Sequence, residues 1–244
     1  MNRLLVIQQI ERERPALFSK VASELGLKIC TLRMYRGDPI VFPGKNDILL
    51  IMGGPMGVAD ITNPLYPWLA EQVEIIKYAI INNIPIIGVC LGAQLLAVAN
   101  GGKCEPLIDQ ISKTPIKELG WSTIDFIKSS PEESIFSKLS FPFYGLHWHG
   151  DRIILPKNSI LLGSTPICNE QMFRVGKFAY GIQFHIELEQ NDFDRWIKED
   201  YEFVKSGLGP MGEEILKKQK DICLKSKSNR IQLIRNLIKV VLTR

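Results

Sequence analysis

Cys90 stands between two glycines in Gly88-Val89-Cys90-Leu91-Gly92, after the apolar run Ile84-Pro85-Ile86-Ile87 and before a segment, Leu91 to Asn100, that reads as a helix closed by Gly101-Gly102. The pattern sets one cysteine at the turn from a buried strand into a helix N-terminus, where unpaired N–H groups and the helix dipole favour a thiolate. Gly88 and Gly92 leave room for a backbone bent this sharply. A lone cysteine is more often buried and inert, so a second segment decides the matter. Tyr180-Gly181-Ile182-Gln183-Phe184-His185-Ile186-Glu187 alternates as a strand does, which sets His185 and Glu187 on one face. A cysteine nucleophile needs an imidazole to take and return its proton, and the imidazole needs an acceptor on its other nitrogen. Cys90, His185 and Glu187 supply all three groups.

With Met52-Gly53-Gly54-Pro55-Met56-Gly57 added, these segments resemble those that carry the Cys-His-Glu triad of class I glutamine amidotransferases, in the same order, over roughly residues 1 to 200. The resemblance implies a thiolate attack on the side-chain amide of glutamine, with the oxyanion held by the backbone N–H groups of Leu91 and Gly54. His185 would then protonate the departing ammonia and activate water against the glutamyl thioester, while Glu187 orients it. Gln94, one helical turn after Cys90, shares its helix face and is placed to bind the substrate, as is Gly53. The stretch Gly145-Leu146-His147-Trp148-His149-Gly150-Asp151 resembles the HGD loop of GMP synthetase amidotransferase domains, which assigns His149, Gly150 and Asp151 to the amino-acid end of glutamine. Lys117-Glu118-Leu119-Gly120-Trp121 resembles a stretch found in free-standing relatives, and strand packing accounts for it equally well. Two departures stand out. The family's usual proline between histidine and glutamate is Ile186 here, and the Gly53-Gly54-Pro55-Met56-Gly57 turn differs from the form common in biosynthetic members, so no particular synthetase is implied.

The elements that must position these groups read as an α/β fold. Probable strands are Leu4 to Gln8, Lys28 to Met34 and Asp47 to Met52; probable helices are Pro15 to Leu25 and Pro67 to Asn82, the second carrying an apolar stripe of Leu69, Val73, Ile76, Ile80 and Ile81. The order implies a flavodoxin-like, mostly parallel sheet with helices on both faces and the site at the strands' C-terminal ends. From Gly102 to Glu187 shorter runs with tighter turns imply antiparallel additions. After Glu187 three helices are expected, Asn191 to Lys205, Glu213 to Leu224 and Asn229 to Leu242. The domain is therefore drawn as 1–200, with 201–244 a basic helical C-terminal extension. That extension holds ten Lys/Arg against four Asp/Glu, leaving the rest of the chain at −2. Its apolar face, Ile231, Ile234, Leu237, Ile238 and Val241, is expected to pack on its own domain or, in a homodimer, on a second subunit.

At 244 residues, 45% hydrophobic and 23% charged, the chain suffices for one well-cored domain and a small extension. A net charge of +4, with no basic cluster interleaved with aromatics in the first 200 residues, argues against nucleic acid as a partner. No apolar run approaches the roughly 20 residues of a membrane span, and the N-terminal run is too short for a signal peptide. Five cysteines without CxxC spacing fit reduced thiols and a cytoplasmic setting better than disulfides or structural zinc. His147 and His149 share a strand face as metal ligands do, but with only three histidines and one assigned to the triad, neither a metal nor another cofactor is expected. The 57 residues after Glu187 hold no nucleotide-binding loop. Three functions stay open: a glutaminase that acts alone or feeds ammonia to a separate synthase chain, a hydrolase of γ-glutamyl peptides or conjugates, and a catalytically silent binding module.

Overall fold

Along the first strand, β1 (Arg3–Gln8), Leu4 and Val6 enter one apolar cluster while Leu5 and Ile7 enter another, and all four are fully buried. A strand buried on both sides needs a sheet covered on both faces. The computed structural model, which describes residues 2–127 and 133–243, has that layering. β1, β2 (Lys28–Arg33), β3 (Asp47–Ile51) and β4 (Ile86–Val89) run parallel, with α1 (Ala16–Glu24) between β1 and β2 and α2 (Trp68–Ile81) between β3 and β4; α3 (Leu91–Ala99) follows β4 directly. After the short β5 (Lys103–Pro106) come β6 (Glu118–Phe126), β7 (Phe143–His149), β8 (Asp151–Ile154), β9 (Ser159–Ser164), β10 (Met172–Val175) and β11 (Ala179–Ile182). The sheet order is β2-β1-β3-β4-β11-β10-β9-β6-β7, with β11 parallel to β4 and the last four strands antiparallel. β5 and β8 form a separate ribbon.

α2 and α3 cover one face of the parallel half through Leu69, Ile75, Ile76, Leu95 and Leu96. The other face is covered by α1 and by the last helix, α7 (Lys220–Leu242), whose Leu233, Ile234, Leu237, Ile238 and Val241 have no exposed surface. Three short helices, α4 (Gln190–Glu199), α5 (Tyr201–Leu208) and α6 (Gly212–Lys217), pack Phe193, Trp196, Val204 and Leu216 on Trp121, Leu146 and Trp148 of the antiparallel half.

Several expectations shift. The helix expected over Asn191 to Lys205 breaks at Asp200, whose φ of −116° and ψ of 34° end α4 and begin α5. The two last expected helices are instead the one-and-a-half-turn α6 and the 23-residue α7. The gap expected between Leu224 and Asn229 is helical, and Ser226 and Arg230 are buried and bonded within the helix, Nε of Arg230 donating to the Ser226 hydroxyl at 3.2 Å. The apolar face offered to a second subunit is largely spent inside the chain. The strand expected to carry His185 and Glu187 stops at Ile182, because Gln183 N–H turns to the Gln171 carbonyl (2.8 Å) and the chain leaves β4 to meet β7 through the Leu146–His185 bridge. Among the described residues no helix is long and apolar enough to cross a membrane.

Since α7 closes the core, Leu237→Ala is expected to cost roughly 2–5 kcal/mol, measured as a shift in the urea midpoint at unchanged slope. Leu224→Ala on the half-exposed side of the same helix serves as the control and is expected to stay within about 0.5 kcal/mol of the parent.

Candidate active site

Cys90 occupies the one-residue turn between β4 and α3 with φ of 50°, a left-handed conformation uncommon for a side-chain-bearing residue. Its N–H is fixed to the Ile182 carbonyl at 2.8 Å and its carbonyl accepts from Gln94 N–H at 3.0 Å. The turn is possible because its glycines touch backbone: a Cβ on Gly88 would run into the Gly92 carbonyl, and one on Gly92 into the Ile51 carbonyl. Leu91 opens α3, so its N–H has no acceptor within the helix.

His185 and Glu187 lie past the end of β11, yet Nδ1 of the ring is 2.7 Å from Glu187 Oε1 and both side chains are about 1% exposed. The second carboxylate oxygen accepts from Ile186 N–H at 2.9 Å, and the edge of Trp196 meets the ring at a centroid distance of 4.7 Å. Burial opposes a charge on His185, but the Glu187 carboxylate and the Cys90 thiol beside it outweigh burial and lift its pKa well above the ordinary value. The imidazole therefore holds a proton readily and has an acceptor for it on the far side. Gly53 is where the chain passes this pair: a Cβ there would collide with the Glu13 carboxylate and lie 3.0 Å from His185 Cε1 and 3.2 Å from Cys90 Cβ.

A cavity of about 210 Å³ opens on the cysteine. Of the residues singled out from sequence, Cys90, Gly54, Gln94, His149, Gly150, Asp151 and His185 line it, whereas Gly53, Leu91 and Glu187 are not part of its lining. Asp151 faces the glycine turn across the space, its Oδ2 lying 3.9 Å from where a Gly57 Cβ would be. At the mouth Arg12 pairs with Asp200 (2.9 Å), which also accepts from the Trp148 indole at 2.8 Å. Behind the wall, His147 and Glu118 join His149, with one nitrogen or oxygen of each within 4.8 Å of the others, the arrangement that could hold a metal. Burial pushes the His147 pKa down to about 4, leaving a neutral imidazole.

Three residues that sequence reading missed complete the site. Gln183 donates to the Cys90 sulfur at 3.5 Å and accepts from Gln94 at 3.4 Å; it precedes His185 by two, so strand alternation already pointed to it. Arg230 of α7, without exposed surface, donates from one nitrogen to the Ile186 and Leu188 carbonyls (3.0 and 2.7 Å), clasping the backbone on both sides of Glu187. Nothing in the local sequence signals that contact. Glu13, fully enclosed beside His185, sits before Pro15 in a charged run that reads as surface.

The sequence matches the family model Glutamine amidotransferase class-I over residues 19–202. The chain belongs to the class-I glutamine amidotransferase family. The chain is 28% identical over 179 residues to the glutamine amidotransferase-like protein YfeJ of Salmonella typhimurium, covering 72% of this chain and 71% of that one. It is 28% identical over 144 residues to the GMP synthase [glutamine-hydrolyzing] of Vibrio campbellii, where 58% of this chain matches only 24% of the relative. Glutamine amidotransferase structures from Thermotoga maritima and Methylobacillus flagellatus superpose with TM-scores of 0.83 and 0.81 over 98% of this chain, and over 98% and 95% of theirs, at 23% and 24% identity. These superpositions establish the mixed α/β fold of the family over the whole chain, α7 included.

Burial, reinforced by the negative charges of Glu187 and Asp200 and opposed by His185 and Arg12, pushes the Glu13 carboxyl from 4.5 up to about 7. The folded chain thus holds a proton that the unfolded chain has lost, so this group subtracts stability as pH rises from 4.5 through 7. Glu13→Gln is expected to match the parent at pH 5 and to exceed it at pH 8 by up to roughly 3 kcal/mol, compared by urea denaturation at the two pH values.

Proposed function

We propose that this class-I amidotransferase hydrolyses the γ-amide of glutamine through a glutamyl thioester on Cys90 and delivers the ammonia to a synthase on a separate chain. The observation that carries the reading is the buried His185–Glu187 pair at 2.7 Å beside a cysteine held at a strand-to-helix elbow. The Cys90 thiol passes its proton to His185 Nε2, and the thiolate adds to the amide carbon. The oxyanion forms against the N–H groups of Leu91 and Gly54, donors that in such holes are each worth about 3 kcal/mol of barrier. His185 returns the proton to the nitrogen, the C–N bond breaks, and ammonia leaves a thioester on sulfur. Water, deprotonated by His185, adds to that thioester; collapse expels the sulfur and yields glutamate. Glu187 keeps the Nδ1 proton in place throughout, and Gln94, Gly150 and Asp151 hold the amino-acid end, with His149 bonded to the Asp151 carbonyl behind them. The chemistry uses this chain's groups and water alone.

The separate synthase follows from the relation to GMP synthase, of which this chain matches about a quarter. One observation favours a second reading. A groove of about 650 Å³ along Pro106, Ile116, Lys117 and Ser206 shares Gly150, Asp151 and Phe203 with the cysteine cavity, giving space for a γ-glutamyl peptide or conjugate whose leaving group is an amine rather than ammonia.

Turnover of glutamine and of γ-glutamyl dipeptides by the purified protein separates the two readings: comparable or higher kcat/KM on glutamine supports the amidotransferase, and strong preference for dipeptides transfers the assignment to the peptidase. For either substrate Cys90→Ser is expected to lower kcat by at least about a thousandfold and to abolish labelling by a diazoketone analogue of glutamine. An unlabelled Cys90 in the parent protein would leave the fold as a silent binding module.

A further inference from the structure

The antiparallel register sets Glu118 of β6 directly opposite His149 of β7, and Gly120 opposite His147, so the carboxylate and both imidazoles project to one side of the same ribbon. His149 Nδ1 lies 2.9 Å from the Asp151 carbonyl oxygen, which can only accept, so this nitrogen carries the hydrogen and Nε2 of the neutral ring carries a lone pair. That lone pair is 3.1 Å from Glu118 Oε2. The carboxylate is already an acceptor twice over, from the Thr165 hydroxyl on Oε1 at 2.7 Å and from the Gln171 amide on Oε2 at 2.5 Å. His147 Nδ1 stands 3.7 Å from the same oxygen, and neither nitrogen of that ring has a hydrogen-bond partner among the described residues; nor has the amide oxygen of Gln171. All three side chains are more than nine-tenths buried.

Lone pairs converging on a buried carboxylate call for positive charge. One proton on His149 would satisfy the 3.1 Å contact and leave His147 an orphan, at a cost of about 1–3 kcal/mol for each buried polar group without a partner. We infer that Glu118, His147 and His149 form a binding site for one divalent transition-metal cation of the zinc type, which anchors the Gly150–Asp151 loop. Ligands at 2.0–2.1 Å around a tetrahedral ion stand about 3.3 Å from one another, close to the 3.1 and 3.7 Å separations to Glu118. Two imidazoles and a carboxylate suit zinc better than calcium or magnesium, which take oxygen sets, or copper(I), which takes sulfur. The outer contacts are those that orient metal ligands: the second nitrogen of His149 on a backbone carbonyl and the second oxygen of Glu118 on a hydroxyl. Glu118 is what sequence reading lacked when it set the two histidines aside as ligands. The cation ties β6 to β7 beside the wall of the cysteine cavity and, through His149, fixes the Asp151 carbonyl. Its role is to hold the substrate loop, and its presence does not depend on which γ-glutamyl substrate the enzyme uses.

Metal analysis by mass spectrometry of the purified full chain, stripped with chelator and reloaded with zinc, tests this without recourse to activity. About one equivalent should bind per chain, raise the melting temperature, persist in Cys90→Ser and be lost in His147→Gln. Cobalt(II) in place of zinc should give visible d–d bands without a sulfur charge-transfer band, a readout on the parent protein that stands even where His147→Gln does not fold. Substoichiometric zinc with no cobalt spectrum overturns the proposal, as does a sulfur charge-transfer band, loss of binding in Cys90→Ser, or full binding by a folded His147→Gln.

Discussion

The His185–Glu187 ion pair is the constraint around which the rest of the molecule is arranged. Two ionisable groups about 1% exposed and 2.7 Å apart are worth having only if their geometry is held, since desolvation of a buried pair rivals its Coulombic gain. The sheet does not hold it. β11 ends three residues earlier, and from there to α4 the described backbone is tied by single links to Gln171 and Leu17 and by the two hydrogen bonds between His185 and Leu146. Fixing the segment therefore falls to side chains from elsewhere, and most of them come from the C-terminal helices.

Arg230 does the largest part. Its two hydrogen bonds to the Ile186 and Leu188 carbonyls satisfy acceptors that would otherwise be buried unpaired, its other terminal nitrogen donates to the Cys223 carbonyl at 2.8 Å, and its guanidinium lies 4.7 Å from the centre of the Trp121 ring. The cation also places positive charge near Glu187. Where a proline between histidine and glutamate would restrict the backbone covalently, this chain has Ile186 and restrains the same bonds from outside. The restraint is non-local, 44 residues away in sequence, so it exists only once α7 has docked.

The strand-to-helix elbow was legible because it is local. An apolar run, a cysteine and two flanking glycines encode an elbow whatever surrounds it, and the motif order carried Gly54, Gln94 and the Gly150–Asp151 loop into one cavity. The layering was legible too, since alternation in β1 and the stripe on α2 each state which side is buried. What could not be read was pairing across distance. Glu118 looked like a strand residue until the β6–β7 register set it against His149, and nothing in the sequence around Glu13 tells that Gly53 and His185 stand beside it. The gap expected between Leu224 and Asn229 is absent for the same reason, because Ser226 within it and Arg230 just beyond it face inward and bond to each other.

These long-range contacts bear on how the site tolerates its own strain. A cysteine at positive φ costs on the order of 1–3 kcal/mol, and Glu13, enclosed next to Glu187, becomes unfavourable once ionised. Neither feature helps the chain fold. Both sit where the segments that impose them are pinned by apolar burial: β4 and α3 by the cluster under α2, the His185 loop by Trp196 and α7. Glu13 Oε2 and the His185 ring carbon between the two nitrogens both crowd the point where a Gly53 side chain would begin, so the carboxyl that burial pushes up to about 7 also restricts this stretch of chain to glycine. Removing its charge should therefore gain stability at alkaline pH, which is the sign expected of a carboxyl whose burial opposes folding once it ionises.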